Sequence, residues 1–244
     1  MAIIVALSMM IVSSQAADRW WDGTNTGGTG DGASDGGAAT WNTSTLNWDQ
    51  GNGSDRVSWT NANNDTAIFA GTAGTVSLGT GITIGGLQFD TASYIITNNI
   101  LNWGAAGSIV ANQNATISSV MAGSAAITKS GAGAVTLAAK STYTGGMTVD
   151  AGTLILAAGG NAGAIRGALT VNAGATVTST VANSTGILVP VNPLNINGGT
   201  VDLSSGQHHV WGATVNMVGG TLKFSSNIDN EQFNVVYNIS NSTS

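Results

Sequence analysis

The chain has 244 residues, of which 42% are hydrophobic and only 7% charged, with a formal net charge of −6. This balance excludes an acidic disordered tail, because a sparsely charged chain with that apolar content can bury a core. Six scattered basic residues make no patch that could neutralise a phosphate backbone, which argues against nucleic acid as a partner. Without cysteine there is no disulfide framework or thiolate zinc site, and the abundant Gly, Thr, Asn, Val and Ile predict an all-β protein.

Residues 1–17 have the features of a secretory signal peptide. Residues 2–12 form an apolar run of the length of an h-region, and Ser14-Gln15-Ala16 places small residues where a signal peptidase reads them. We therefore expect export, with cleavage after Ala16 or Ala17. A buried N-terminal strand or helix is the alternative, since no Lys or Arg precedes the apolar run. No other segment approaches the roughly 18 apolar residues of a membrane-spanning helix.

Residues 18–70 form a Trp-rich and Asp-rich region that we interpret as a cap, and it holds five of the seven tryptophans. Buried rings can plug the end of a hydrophobic core, whereas exposed rings can stack on sugar rings. The rings expected in the plug are Trp41, Trp48 and Trp59. The candidate glycan contacts are Trp20 and Trp21.

The glycine-rich loop at residues 23–37 comes within one residue of the calcium-binding repeat G-G-x-G-x-D, reading Gly27-Gly28-Thr29-Gly30-Asp31. Such repeats bind calcium between stacked copies, so one imperfect copy favours a flexible loop without metal. The alternative is a Ca²⁺ ion held by carboxylates, which are ligands that it prefers. Its ligands would be Asp22, Asp31 and Asp35.

Within residues 71–244 a short pattern recurs, made of a strand, a small residue plus glycine, and a second strand. The copies are ITIGGLQF (82–89), MTVDAGTLIL (147–156), LTVNAGATVT (169–178), LNINGGTVDL (194–203) and VNMVGGTLKF (215–224). Their second glycines, separated by 66, 22, 25 and 21 residues, are Gly86, Gly152, Gly174, Gly199 and Gly220. Looser candidates for the same position are Gly107 and Gly133.

This period of 20 to 25 residues indicates a solenoid, in which each repeat buries its apolar face only against its neighbours. The Leu-x-x-Leu-x-Leu spacing of a leucine-rich repeat is absent. A parallel β-helix fits, because apolar residues alternate along each strand and Gly or Asn stands where the chain bends. The side chains expected to point inward in one repeat are Met147, Val149, Leu154 and Leu156. Those expected outward are Thr148, Asp150, Thr153 and Ile155.

The repeats offer little for catalysis or for metal binding. Asp150 and Asp202 fall at related places beside a bend, but at the 4.7–4.9 Å spacing of strands they would lie about 10 Å apart. A polysaccharide lyase or hydrolase would need convergent carboxylates and a basic residue, so it is disfavoured. His208 and His209 would point to opposite faces of a strand, which favours a solvated turn over a metal site.

Residues 127–156, ITKSGAGAVTLAAKSTYTGGMTVDAGTLIL, resemble the autotransporter-associated β-strand repeat of bacterial surface and secreted proteins. The residues that match its pattern and that we expect to be structural are Lys129, Gly131, Gly133, Tyr143, Gly145, Gly146 and Gly152. By general pattern, the later repeats add Gly174, Gly199 and Gly220. The departures are Ala134, Lys140, Met147 and Asp150. Segments such as WNTSTLNW (41–48) and DTAIFAG (65–71) resemble the leader of this repeat, so the resemblance covers about residues 20–156.

The resemblance implies a right-handed β-helical passenger, exposed at the bacterial cell surface or released. It also implies an outer-membrane barrel in a longer parent protein, and we expect the solenoid to continue beyond residue 244. The leading hypothesis is a structural or adhesive role without catalysis or cofactor, with surface glycans or host or neighbouring cell surfaces as partners. The alternative is a carbohydrate-binding module that uses the N-terminal tryptophans; a polysaccharide lyase ranks third.

Overall fold

The structure is a computed structural model that describes residues 16–51, 53–187, 191–208, 213–225 and 236–240. Most of the expected signal peptide and His209 lie outside these ranges. The described residues form 21 β-strands and no helix, and hence none that could span a membrane. The strands are β1 Asp18–Trp21, β2 Ala39–Trp41, β3 Trp48–Asp49, β4 Thr66–Phe69, β5 Thr75–Leu78, β6 Ile82–Phe89, β7 Tyr94–Thr97, β8 Ile100–Ala111, β9 Ala115–Ile117, β10 Val120–Gly123, β11 Ile127–Ser130, β12 Ala134–Leu137, β13 Met147–Val149, β14 Gly152–Leu156, β15 Leu169–Asn172, β16 Ala175–Ser179, β17 Leu194–Asn197, β18 Thr200–Leu203, β19 Thr214–Val218, β20 Thr221–Phe224 and β21 Val236–Ser240.

The strands stack into two sheets that run the length of a parallel β-solenoid. The first sheet has 12 strands in the order β21-β19-β17-β15-β13-β11-β8-β6-β4-β1-β3, with β10 beside β8. The second has nine, in the order β2-β5-β7-β9-β12-β14-β16-β18-β20. All pairings between named strands are parallel except β1 with β3. From β4 onward, eight turns of the described chain each place one strand in each sheet.

The core lies between the two sheets and consists of aligned aliphatic columns. In the second sheet Val135, Leu154, Val177 and Val201 are in register, and each is at most 1% exposed. Each such side chain contributes roughly 1.5–3 kcal/mol on burial, so the stacking of many turns supplies the stability that one turn lacks. The inward and outward side chains predicted for residues 147–156 are confirmed, because every inward one is buried and no outward one is.

The sequence pattern predicts a bend at the second glycine of each repeat. The structure has these bends in the later turns but not in two earlier turns. Gly152 and Gly174 adopt positive φ at bends between strands, as predicted, and Gly133 also lies at a bend. Gly86 and Gly107 do not: they lie inside β6 and β8, whose turns bend at residues 90–93 and 112–114. In β6 the glycines allow close approach instead, since a Cβ on the preceding Gly85 would lie 2.2 Å from the Asn64 carbonyl oxygen.

Candidate functional site

Four tryptophans fill the first turn of the solenoid. Trp21, Trp41, Trp48 and Trp59 are at most 2% exposed. Neighbouring ring centroids lie 4.8–5.0 Å apart, and Phe69 packs on three of the rings at 5.8–6.1 Å. These distances are those of favourable aromatic pairs. The plug predicted for Trp41, Trp48 and Trp59 is therefore confirmed.

Trp21 belongs to this plug, which corrects its assignment as a glycan contact. Its ring is fully buried, and its Nε1 donates a hydrogen bond to the Gly37 carbonyl oxygen at 2.8 Å, so no ring face is open to a sugar. Because neighbouring strand residues point to opposite faces, Trp20 and Trp21 could not both be outward. Trp20 is half-buried and stays a candidate contact.

Two of the three candidate calcium ligands, Asp22 and Asp35, lie beside the guanidinium of Arg56. The Asp22 carboxylate accepts a hydrogen bond from Arg56 Nε, and Asp35 Oδ2 lies 3.5 Å from Arg56 Nη2. Burial raises the pKa of Asp22, and the Arg56 guanidinium opposes that rise. Asp31 instead accepts a bond from the Ala33 amide at 3.0 Å. No group of three metal-ligating side chains occurs among the described residues, so the calcium alternative is not supported by this geometry.

Lys129 is the most unusual repeat residue, because its charged side chain points into the core. It stands in register between two aliphatic residues, Ile109 and Val149, and it is fully buried. Its Nζ donates three hydrogen bonds, at 2.8, 2.6 and 2.8 Å. The acceptors are the carbonyl oxygens of Gly131, Gly133 and Ala151.

This arrangement uses all three donors of an ammonium group and joins two successive bends. Gly131 and Gly133 belong to the bend after β11, whereas Ala151 belongs to the bend after β13, one turn later. Burial lowers the pKa of Lys129 to about 8, while the three carbonyl acceptors favour the charged form. Lys129 is thus a clip between turns. A Cβ at position 152 would lie 2.5 Å from the Gly131 carbonyl oxygen and 2.6 Å from Lys129 Nζ, so this position has room only for glycine.

The segment Thr142 to Gly146 lies in the connection from β12 to β13, between the two sheets. The amides of Thr142 and Tyr143 donate to the Met121 carbonyl oxygen at 2.8 and 3.2 Å. A Cβ on Gly145 would lie 2.1 Å from the Ala125 carbonyl oxygen, and Gly146 adopts a positive φ of 81°. Tyr143 is fully buried, and burial raises the pKa of its hydroxyl. Close backbone contact between turns explains why this segment carries two glycines in sequence.

The outer face of the first sheet carries a ladder of neutral polar side chains. Asn216 Nδ2 donates to Asn195 Oδ1, and Asn238 Nδ2 donates to Asn216 Oδ1, both at 2.8 Å. Asn195 continues the ladder to Thr170 Oγ1 at 3.2 Å. Sequence reasoning missed this ladder, although the recurrence of Asn at the same offset in successive repeats is a signal for it.

The outer face of the second sheet carries a shallow groove of about 210 Å³. Its lining includes Ser93, Asn114, Thr116, Thr136 and Ile155, and it contains no charged side chain. Hydroxyl, amide and methyl groups therefore line the groove. Such a surface can hydrogen-bond to a neutral polar ligand and contact its apolar faces, but it offers no acid or base for catalysis.

The residues considered for catalysis and metal binding do not converge. Asp150 follows a strand of the first sheet and accepts a bond from Asn172 at 2.7 Å, whereas Asp202 lies in the second sheet and pairs with Lys223 at 3.4 Å. Because one precedes the bend of its turn and the other follows it, the two carboxylates belong to different sheets. His208 is not in a solvated turn: it is buried, with Nε2 3.1 Å from Ser179 Oγ.

Comparison with known proteins agrees with this geometry. Residues 127–156 match the family model of the passenger-associated-transport-repeat. In an alignment of 229 positions that covers 90% of its residues, the chain is 35% identical to the "Adhesin BmaC autotransporter" of Brucella suis biovar 1 (strain 1330). The chain spans about 6% of the length of that relative. No solved structure matches the chain.

Proposed function

We propose that this chain, which carries a passenger-associated-transport-repeat at residues 127–156, is an exported β-helical passenger segment with a structural or adhesive role and no catalysis. The observation that carries the proposal is the similarity of 90% of the chain to an autotransporter adhesin. The segment would be displayed at the bacterial surface or released. Its partners would be glycans or other components of host or neighbouring cell surfaces.

The stacked turns support the structural part of this proposal. Eight turns at a spacing of about 4.8 Å extend about 38 Å along the axis. The aromatic plug at residues 21–69 and the clip at Lys129 tie neighbouring turns to one another. We propose that residues 18–70 cap the solenoid that residues 71–244 build. A rod of this kind holds its outer faces in fixed positions.

We place the adhesive contact at the groove of the second sheet. Thr116 and Thr136 point outward in register there, beside Asn114, and present hydroxyl and methyl groups at a fixed spacing. Immobilised strand side chains lose little further conformational entropy on binding, which favours a weak contact repeated over many turns. A neutral glycan supplies the matching hydroxyl groups and apolar ring faces.

Beads coated with the chain test this function. We expect them to bind cultured host cells or neighbouring bacteria more than beads coated with albumin do. Soluble chain should compete with the coated beads and reduce this binding. Thr136→Arg inserts a long charged side chain into the groove and should lower binding about tenfold, while Thr148→Arg makes the same change on the outer face of the first sheet and should not. Binding no better than albumin would contradict adhesion, and equal loss in both variants would contradict the groove.

A search for catalysis tests the remaining alternatives. Incubation with a panel of neutral and acidic polysaccharides should release no new reducing ends and no unsaturated uronates. If the chain does release these products, and Asp150→Asn or Asp202→Asn abolishes the release, the protein is a hydrolase or a lyase and the proposal is wrong. Quenching of Trp fluorescence by a glycan, lost on Trp20→Ala, would instead support the carbohydrate-binding alternative.

A further inference from the structure

The main chain at Ala17 makes two hydrogen bonds beside the place where signal-peptide cleavage is expected. The Ala17 nitrogen lies 2.9 Å from Asp65 Oδ1, and the Ala17 carbonyl oxygen accepts a bond from the Thr66 amide at 2.9 Å. Ala17 then leads directly into β1, which pairs with β4 from Asp18 onward. Asp65 therefore holds the nitrogen of the residue that precedes the first strand.

Asp65 is a buried carboxylate that already binds one cationic side chain. It is 1% exposed, and its other oxygen, Oδ2, accepts a hydrogen bond from Arg19 Nε at 3.1 Å. Asn63 Nδ2 lies 3.5 Å from the same oxygen. The two carboxylate oxygens thus face different donors: Oδ2 a guanidinium, and Oδ1 the Ala17 nitrogen. A carboxylate binds a cationic donor more strongly than a neutral amide.

We propose that the Ala16–Ala17 peptide bond is the processing site and that Asp65 binds the α-ammonium group which cleavage creates. This inference rests on export as proposed above. Hydrolysis adds water across the bond: the hydroxyl group goes to the Ala16 carbonyl carbon, and the Ala17 amine takes up protons to become an ammonium. That ammonium occupies the place of the amide nitrogen, 2.9 Å from Asp65 Oδ1.

The two cleavage positions that the sequence leaves open have different structural consequences. Cleavage after Ala16 keeps both hydrogen bonds of Ala17 and turns one of them into an ion pair. Cleavage after Ala17 removes that residue, and with it the acceptor of the Thr66 amide and the partner of Asp65 Oδ1. The residue three positions before the cut also differs, since it is the small Ser14 in the first case and the larger Gln15 in the second.

The first test is mass spectrometry of the exported full-length product. We expect its N-terminus to be Ala17. An exported chain that begins at Asp18, or at any other residue, would overturn the inference and leave export intact. An unprocessed chain that stays inside the cell would overturn both.

The second test compares the mature chain with a free and an acetylated α-amine at pH 7. Acetylation keeps the N–H donor of Ala17 and removes its charge. We expect it to lower the melting temperature by roughly 2–4 °C, and to have no effect in an Asp65→Asn background. Equal melting temperatures in the wild-type background would overturn the pairing. That comparison decides the matter even if Asp65→Asn fails to fold.

Discussion

Replacing Lys129 with Met removes the clip between two bends while keeping an unbranched side chain. Three carbonyl oxygens lose a donor at 2.6–2.8 Å. The Gly133 oxygen keeps the Thr153 amide as a donor at 3.4 Å. Each of the other two acceptors, left without a partner, costs roughly 1–3 kcal/mol, and the relief of a buried charge offsets part of the sum. We expect the free energy of unfolding at pH 7 to fall by about 3 kcal/mol.

The effect of pH on the wild-type chain follows from the lowered pKa of Lys129. Burial lowers that pKa to about 8, whereas the unfolded chain keeps a value near 10.4. Between these values the unfolded chain holds more protons, so the stability of the wild type rises with pH from about 8 to about 10.5. The full rise is roughly 3 kcal/mol, and Lys129→Met lacks it. Tyrosine ionisation above pH 10 affects both proteins and cancels in their difference.

Urea unfolding, followed by Trp fluorescence at pH 7 and pH 9.5, measures both effects. Lys140→Met is the matched control, because Lys140 lies eleven residues after Lys129 and its side chain is exposed. This substitution should change the free energy of unfolding by less than about 0.5 kcal/mol. The difference between wild type and Lys129→Met should grow at the higher pH. If Lys129→Met is as stable as the wild type at pH 7, the clip contributes nothing and the reasoning is refuted.

Three further substitutions test the packing between turns by urea midpoint. Gly145→Ala should cost about 1–3 kcal/mol or more, since its Cβ would lie 2.1 Å from the Ala125 carbonyl oxygen. Gly81→Ala is the control and should be neutral, because the nearest atom to its Cβ is 4.0 Å away. Equal effects of the two substitutions would contradict the close contact at Gly145. Asn216→Ala should cost about 1–2 kcal/mol by removing two rungs of the Asn ladder, and no loss would mean that the ladder is only superficial. Trp48→Ala should cost about 3–5 kcal/mol because it empties the plug, and a loss below 1 kcal/mol would contradict that role.

The repeat pattern predicted the fold because a parallel stack imposes the same demands on every turn. Residues 147–156 alternate correctly, since each inward position must fill the space between the sheets. The pairs of a small residue and glycine were less informative: Ala151-Gly152 marks a bend, while Gly85-Gly86 lies inside a long strand where a neighbouring segment approaches. The same residue type serves both purposes, and only the three-dimensional path of the chain distinguishes them.

The buried polar groups were harder to predict because their partners lie on other turns. Lys129 stands two residues after the buried Ile127 in the same strand, so its side chain points to the same inner face. The carbonyl oxygens that accept its hydrogen bonds, however, come from two different bends. Likewise, the Asp65 carboxylate meets Ala17 across 48 residues of sequence. Such contacts depend on which bends stack, and composition or periodicity does not contain that information.

Export to the cell surface is tested most directly by labelling intact bacteria with antibodies raised against residues 17–244. We predict that intact cells are labelled, or that the chain is found in the medium, and that external protease removes the surface signal while a cytoplasmic marker survives. Labelling that appears only after the cells are permeabilised, with no chain in the medium, would contradict a surface or secreted passenger.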